Sequence, residues 1–553
     1  MPRPRPLLPA RPAVATLGSS RAGRIALVLV LVLAVAGCKT PEVYRADADR
    51  EALALVESRR AKLALGDGSF SIEPPAESLR QRILRGEITE TQPLGLVECL
   101  EIAAENSRDY QRRKEDLYLS ALDLTLERWR FGWQPEATAD ARIDGTGGEA
   151  EQAGGGTRLT IDRLLGNGMR IAGDIGLGFT RSLLSSDGWH PVSDFGGSIT
   201  MPLLAGSSRA IVEEPLTQAE RNLVYSVRTF ERFRRTFAVD VATRYYRLVQ
   251  QYDAVENQVR NYESLVLLRE RNEELAKAGR LSDIDVGQAR QDELSSKNSL
   301  LGARERLANQ ADDFKLFLGL PIETQLVFQE GALAGLGGGE LEKVELDEAR
   351  AAQFALEHRL DYLNTADQAG DSERKVKVAE DALRTGLTLV AAGRARSDDG
   401  QPFDYDFGES TWSLSAALDL PIDKLPQRNT YREALVAREA AVRAAEQSSD
   451  QIRNDLRELL RSVESRVSSY EIQKNAVELA QKRIESASLK LEAGRADTRS
   501  LLEAQRSLLD AQNSATSALV EYTLARMNLF RDLELLRVDV QGIHIEPADF
   551  RDP

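Results

Sequence analysis

Leu94-Gly95-Leu96-Val97-Glu98 opens a segment that runs to Glu105-Asn106-Ser107-Arg108-Asp109-Tyr110. Leu346 opens a second that runs to Glu357-His358-Arg359-Leu360-Asp361-Tyr362, at a constant offset of 252 residues. Further on, Ala278-Gly279-Arg280 returns as Ala493-Gly494-Arg495 at an offset of 215, and the register holds through Ala289 and Ala504, Leu294 and Leu509, Leu318 and Leu533. Chance can supply one tripeptide but not a maintained order with matching apolar positions, so the sequence reads as an internal duplication. Between the two zones the first copy is 37 residues longer (252 against 215).

Each copy reads as helix, strands, very long helix, turn and returning helix. In the first, Leu223, Val227, Phe230, Phe237, Val241, Tyr245, Leu248, Tyr252, Val255, Val259, Tyr262 and Val266 follow steps of three and four, an apolar stripe on one helical face. Residues 215–277 would extend ~95 Å at ~1.5 Å per residue. The second copy repeats the stripe with Leu456, Leu459, Val463, Val467, Tyr470, Val477, Ala480 and Ile484. Such stripes demand neighbouring helices, because one face of a lone helix cannot leave water. Both long helices stop at the repeated tripeptide. Gly279 and Gly494 can adopt the left-handed conformation that closes a helix, and Ser282 and Asp497 offer oxygens to cap the next one. This predicts two helical hairpins with return helices over about 283–318 and 498–535.

The strand blocks alternate. Ala137, Ala139, Ala141 and Ile143 interleave with Thr138, Asp140, Arg142 and Asp144. Ile171, Ile175, Leu177 and Phe179 share a face with Gly173, as do Phe195, Ile199 and Met201 with Gly197. In the second copy Trp412, Leu414, Ala416, Leu418 and Leu420 interleave with Ser413, Ser415, Ala417 and Asp419. Period-two alternation fits strands that face lipid while lining a pore, and equally a half-buried soluble sheet. Leu165-Gly166-Asn167-Gly168 carries an Asn-Gly hairpin signal, so the extra residues of the first copy form an added β-hairpin. Trp129, Phe131, Trp133, Phe403, Tyr405, Phe407 and Trp412 cluster near the strands, as an interfacial aromatic belt or as ordinary packing.

The termini and the charge narrow the setting. Residues 1–37 read as a lipoprotein signal peptide: Arg3, Arg5, Arg11, Arg21 and Arg24 precede an uncharged apolar run from Ile25 to Ala36, too short to span a bilayer as a helix. The run ends in Val35-Ala36-Gly37-Cys38, which resembles a bacterial lipobox whose cysteine thiol takes the lipid; Lys39 follows, which in lipoproteins implies sorting to the outer membrane. The formal charge of −15 becomes −20 without those five arginines, which argues against nucleic-acid binding and for a soluble, acidic surface. Cys99 is the only other cysteine and lies in a helical apolar pattern, the place of a buried small hydrophobe. Residues 38–93 read as a lipidated extension and linker, with a helix over about 46–65 and an extended Ser71-Ile72-Glu73-Pro74-Pro75. Residues 331–345 form a glycine-rich link between the copies, 94–330 and 346–537, and 538–553 a tail.

The order of elements over about residues 94–537 resembles that of the TolC-like outer-membrane efflux proteins. The resemblance is carried by the duplicated opening, Gln134-Pro135 before the first strand, Met201-Pro202-Leu203 at a strand end, Gln218-Ala219-Glu220, and the Ala-Gly-Arg turns with Gln288-Ala289 and Ala504-Gln505. It implies a mostly α fold with β, in which three chains build a long periplasmic α-barrel continuing into an outer-membrane β-barrel of twelve strands, four from each chain. The extra hairpin departs from that pattern and either thickens the barrel or lies on its periplasmic side. The resemblance further implies an exit duct of a tripartite system exporting small molecules. A periplasmic adaptor and an inner-membrane transporter would be its partners, with the turns at Gly279, Arg280, Gly494 and Arg495 as the adaptor-docking surface. By position, Glu503 and Ser500 correspond to the pore constriction, acidic at both sites in the best-known members. Asp285 corresponds to a gate contact whose arginine partner is replaced by Ala496, with Arg495 and Arg499 nearby. Asp285 also suits simple capping near a helix N-terminus.

Other functions fit less well. His190, His358 and His544 are scattered and form no metal spacing, and Gly154-Gly155-Gly156 sits between strands rather than before a helix, so the sequence predicts no enzyme, cofactor or metal. The alternatives are the outlet of a type I protein-secretion system, which the same tunnel serves, and a non-conducting lipid-anchored helical spacer.

Overall fold

A computed structural model describes residues 39–63, 70–73, 77–88, 93–146, 149–184, 188–329, 331, 333, 336, 341, 344, 346–398, 400–402, 404–493, 495, 497–539 and 541–546. Cys38 and the signal segment, Phe403, Gly494 and much of the 331–345 link lie outside the described residues.

In chain order the elements are α1 (Pro41–Lys62), α2 (Leu79–Leu84), α3 (Leu96–Asn106), α4 (Arg108–Arg130), β1 (Gln134–Thr146), β2 (Glu149–Leu164), β3 (Arg170–Ser182) and β4 (His190–Pro202). Next come α5 (Arg209–Val212), α6 (Glu214–Lys277), α7 (Asp283–Leu318), α8 (Glu348–His358), α9 (Leu360–Asp381), β5 (Gly386–Arg396) and β6 (Thr411–Asp419). The chain closes with α10 (Leu425–Glu492), α11 (Thr498–Asp532), β7 (Leu536–Asp539) and β8 (Gly542–Ile545). A helix pair, strands, a very long helix and a returning helix thus follow one another twice. Two compact units result, one built around residues 129–203 and 387–417 and the other around 52–128, 204–386 and 418–553.

In the helical unit the duplicated openings act as helix starts. Glu98 reaches back to accept from the Gly95 N–H at 2.9 Å, and Asp347 accepts from the Arg350 N–H at 2.9 Å, satisfying donors a helix start leaves unpaired. The stripe of α6 is consumed by several partners. Val241, Tyr245 and Leu248 pack with Cys99, Ile102 and Ala103 of α3 and with Phe314 and Leu318 of α7. Leu223, Val227 and Phe230 pack with Leu117, Ala121 and Leu124 of α4 and with Ala52 and Val56 of α1. In the second half, Leu456, Val463 and Val467 of α10 bury against Ala351 and Ala355 of α8 and Tyr522 and Leu529 of α11.

Both flanking segments carry packed structure. Before residue 94, Ala52 and Val56 are fully buried, and Arg60 pairs with Glu231 at 3.2 Å with both side chains almost completely covered. Across residue 537, Leu536–Asp539 and Gly542–Ile545 pair as an antiparallel hairpin.

The other unit is a six-stranded antiparallel sheet in the order β1-β2-β3-β4-β5-β6. The first copy gives four strands and the second two, the four per chain that the resemblance implies plus the two of an added hairpin. β2 and β5 carry no alternating pattern in the sequence, and Gly154-Gly155-Gly156 lies inside β2 rather than between strands. The Asn-Gly signal does form a hairpin. Gly168 N–H donates to Leu165 C=O at 2.9 Å, Leu165 N–H to Met169 C=O at 2.8 Å, and Gly168 sits at φ 79°. That is a three-residue loop in which only glycine is unstrained.

Candidate channel surfaces

The helical hairpins end as the sequence predicts. At the end of α6, Arg280 N–H reaches Leu275 C=O at 2.9 Å and Gly279 N–H reaches Ala276 C=O at 2.8 Å, with Gly279 at φ 71°. This double closure satisfies carbonyls a helix end leaves open. At the end of α10, Arg495 N–H reaches Lys490 C=O at 2.8 Å, the equivalent outer bond. Ser282 Oγ accepts from Asp285 N–H at 3.3 Å and Asp497 accepts from Ser500 N–H at 3.0 Å, so both return helices are capped.

The two hairpins meet close to these turns. Leu265 and Leu268 of α6 pack on Leu501 and Leu502 of α11, and the buried Asn272 amide donates to Thr498 Oγ1 at 3.2 Å. Among the residues assigned to the gate, Arg499 Nε pairs with Glu503 at 3.0 Å, one turn apart and exposed. Asp285 accepts from Ser282 Oγ at 2.6 Å. Ser500 Oγ is committed to Asp497 at 2.6 Å; that side-chain bond, with the backbone bond from Ser500, holds the Asp497 carboxyl below its usual pKa. Within the chain, then, Asp285 satisfies its own turn and Arg499 satisfies Glu503, and no described bond joins Asp285 to Arg495 or Arg499.

The sheet sorts its residues by face. Pairing of Arg158 with Gly176, Asp194 with Gly176, Asp174 with Thr160 and with Gly196, and Gly196 with Arg394 puts these side chains on one face. There Arg158 holds Asp174, and also Asp194 by Nη1 at 2.9 Å and Nη2 at 3.1 Å, and Arg394 lies 3.6 Å from Asp174. The charges form a row across β2, β3, β4 and β5. Glycine makes room for it: a Cβ on Gly176 would strike the Asp194 carboxylate, and one on Gly196 that of Asp174.

The opposite face carries Ile143, Leu159, Ile161, Ile175, Phe195 and Ile199, one set across β1 to β4. All are exposed, Ile143 to 72%, and Trp412 of β6 to 82%. A soluble half-buried sheet would cover this face. An exposed apolar face of such extent marks a lipid or protein contact, and with a charged opposite face it has the pattern of a membrane strand wall. Among the described residues no helix is long and apolar enough to cross a membrane.

Solved structures share this architecture. The Campylobacter jejuni outer membrane channel CmeC matches at a TM-score of 0.58 with 15% identity, over 79% of this chain and 85% of that one. VceC, an outer membrane protein of Vibrio cholerae, matches at 0.58 with 16% identity, over 79% and 95%. CusC, described as forming a transmembrane channel, matches at 0.58 with 13% identity, over 85% and 99%. The chain has the outer-membrane channel fold. No family model matches the sequence, and no curated protein does either, so the likeness is carried by the path of the chain.

Within that fold the remaining candidates find plain roles. Among the described residues no group of three or more His, Cys, Asp or Glu could hold a metal. His358 bonds Phe354 C=O on its own helix at 2.9 Å, and His544 pairs with Asp539 inside the β7–β8 hairpin at 3.1 Å. Cys99 is completely buried, and burial, with the nearby Glu98 charge, pushes its thiol up to about 12. A thiol so placed is inert at neutral pH.

Proposed function

We propose that this chain is one subunit of an outer-membrane exit duct for small-molecule efflux, lipid-anchored through Cys38 and extending into the periplasm. Three copies close around a common axis, pooling their sheets into a β-barrel and their long helices into an α-barrel. The observation that carries the reading is the exposed apolar sheet face, with Ile143, Leu159, Ile175 and Phe195 opposite the charged row of Arg158, Asp174 and Asp194. Lipid suits the first face and water the second. The unpaired backbone of β1 and β6 cannot be left open in hydrocarbon, where each unsatisfied group costs several kcal/mol, so copies must pair with copies.

The turns at Gly279–Arg280 and Gly494–Arg495 are the docking surface for a periplasmic adaptor that links the duct to an inner-membrane transporter. Glu503, exposed beside Arg499, repeats three times around the axis as the acidic part of the constriction, and Ser500 lies one turn away, held by the Asp497 cap. Charge rings of this kind select ions in narrow pores.

Reconstitution of the purified protein into planar bilayers tests the reading. Discrete conductance steps are expected, with cation preference reduced in Glu503→Gln. A folded protein that stays in solution without detergent and never conducts would instead be a helical spacer, and the channel reading would be discarded.

A further inference from the structure

We infer that the assembled duct has an eighteen-stranded barrel, the β2–β3 hairpin being part of its wall rather than an appendage. The inference rests on the channel reading, and the copy number of three comes from it.

The hairpin is in line with the other strands. Gln134 of β1 pairs with Asp162, Arg170 with Leu164 and with Thr200, and Pro202 with Thr388 of β5. The turn at 165–169 therefore lies at the edge of the sheet where the chain enters β1 and leaves β4, and β2 and β3 run the full height of their neighbours. They are 16 and 13 residues long, more than the ~9–11 a tilted strand needs to cross a bilayer.

Both faces of the hairpin continue those of the flanking strands. Leu159, Ile161 and Ile175 are exposed among Ile143, Phe195 and Ile199. On the other side, Arg158 of β2 and Asp174 of β3 supply the middle of the ionic row that ends on Asp194 of β4 and Arg394 of β5. Excising the hairpin would remove the centre of that row. A hairpin on the periplasmic side would have no reason to keep an exposed apolar face in register with the wall.

The edges then fix how copies join. With six antiparallel strands, β1 and β6 run in opposite directions, so β6 of one chain meets β1 of a second copy as an antiparallel pair, the arrangement an up-and-down barrel requires. Both edges are exposed along their length. Three chains of six strands close at eighteen. Because barrel diameter grows roughly linearly with strand number, the barrel is about 1.5 times as wide as a twelve-stranded one.

Single cysteines in the full-length, membrane-inserted protein test this, since buried Cys99 stays silent. The positions are Leu159→Cys and Ile175→Cys on the apolar face of the hairpin, Thr160→Cys and Ala172→Cys on its polar face, and Ala391→Cys and Ala392→Cys as the same pair of faces on β5. A charged, water-soluble thiol reagent should label the polar-face positions about tenfold faster than the apolar-face ones on the hairpin and on β5 alike, lipid shielding only one face. Alternation on β5 with uniform labelling of the hairpin overturns the eighteen-stranded wall and leaves the channel reading standing. Uniform labelling on both defeats the channel reading itself. In addition, Thr138→Cys combined in turn with Ser413→Cys, Ser415→Cys or Ala417→Cys should give, in at least one pairing, an oxidised ladder that stops at three chains. A ladder stopping elsewhere, or none from any pairing, overturns the count.

Discussion

Arg232 donates from Nη2 to Asp532 at 2.6 Å across 300 residues of sequence, and its other terminal nitrogen reaches Glu534 at 3.1 Å and the Arg531 carbonyl at 2.6 Å. The first long helix is thereby tied to the end of the last one at a site closed to water. Arg235 also pairs with Glu534, and Glu231 joins Arg60 and Arg234 at 3.2 and 2.8 Å. Glu534 holds its place at φ 60°, alone in that among the described non-glycine residues. Removing one partner of a buried pair leaves an uncompensated charge, at a cost of ~3–5 kcal/mol. Arg232→Met should therefore lower the melting temperature of the purified protein sharply, and an unchanged melt would deny the network its structural role.

The same site sets a pH dependence. Burial raises the Asp532 carboxyl, but the bond from Arg531 and the charges of Arg531, Arg232 and Arg359 outweigh it and leave the pKa below the ordinary value. A depressed folded-state pKa contributes stability that is present above the unfolded value, ~3.9, and is lost as pH falls through the folded one. The melting temperature should fall as the solution is acidified below about pH 4. Asp532→Asn should lower it at neutral pH and flatten that acid slope. A slope as steep as the parent's would assign it to other carboxylates.

That network also marks where sequence reading ran short. The helix ends were legible because their signals are local: Gly279 closes α6 and Ser282 caps α7 within four residues of chain. Arg232, Arg234 and Arg235 give no such signal, since their acids lie on α6 itself and some 300 residues downstream, at the end of α11 and just past it. The fit of α1 was equally hidden, because it is made by two small residues, Ala52 and Val56, in a helix without an apolar stripe. In the sheet, Gly154, Gly155 and Gly156 erase the period-two pattern of β2, and β5 runs Leu389-Val390-Ala391-Ala392 with both faces apolar. The alternation of β1, β3, β4 and β6 was plain, yet it could not separate a lipid-facing wall from a soluble sheet. The structure adds that the apolar face is left uncovered within the chain, which is what supports the proposed lipid contact.

At the end of α6 the left-handed Gly279 can be tested alone. A Cβ there would meet nothing within 4 Å, so the cost of Gly279→Ala is purely that of the backbone, ~1–2 kcal/mol. Amide hydrogen exchange at residues 275–285 should quicken while the global melt barely moves. A global drop would mean that the turn carries packing invisible in one chain.

Cys99 offers a check on burial. With its thiol pushed up to about 12 and its side chain enclosed by Ile102, Tyr245 and Phe314, alkylation at pH 8 should be negligible in the folded protein and immediate in denaturant, since the thiolate is the reactive form. Rapid labelling of the native state would show that α3 leaves its groove between α6 and α7.

The glycines of the ionic row separate position from composition. Gly176→Ala drives a methyl group into the Asp194 carboxylate that Arg158 holds, whereas the same change at Gly178 meets only the Val192 carbonyl oxygen at 3.8 Å, an ordinary contact. The two substitutions are chemically identical and two residues apart on one face of β3. If the row braces the wall, Gly176→Ala should lower the temperature at which the assembled protein falls to monomers, and Gly178→Ala should leave it near the parent value. Equal effects would reduce both to the general penalty of altering a strand, and the row would then be a consequence of the fold rather than one of its supports.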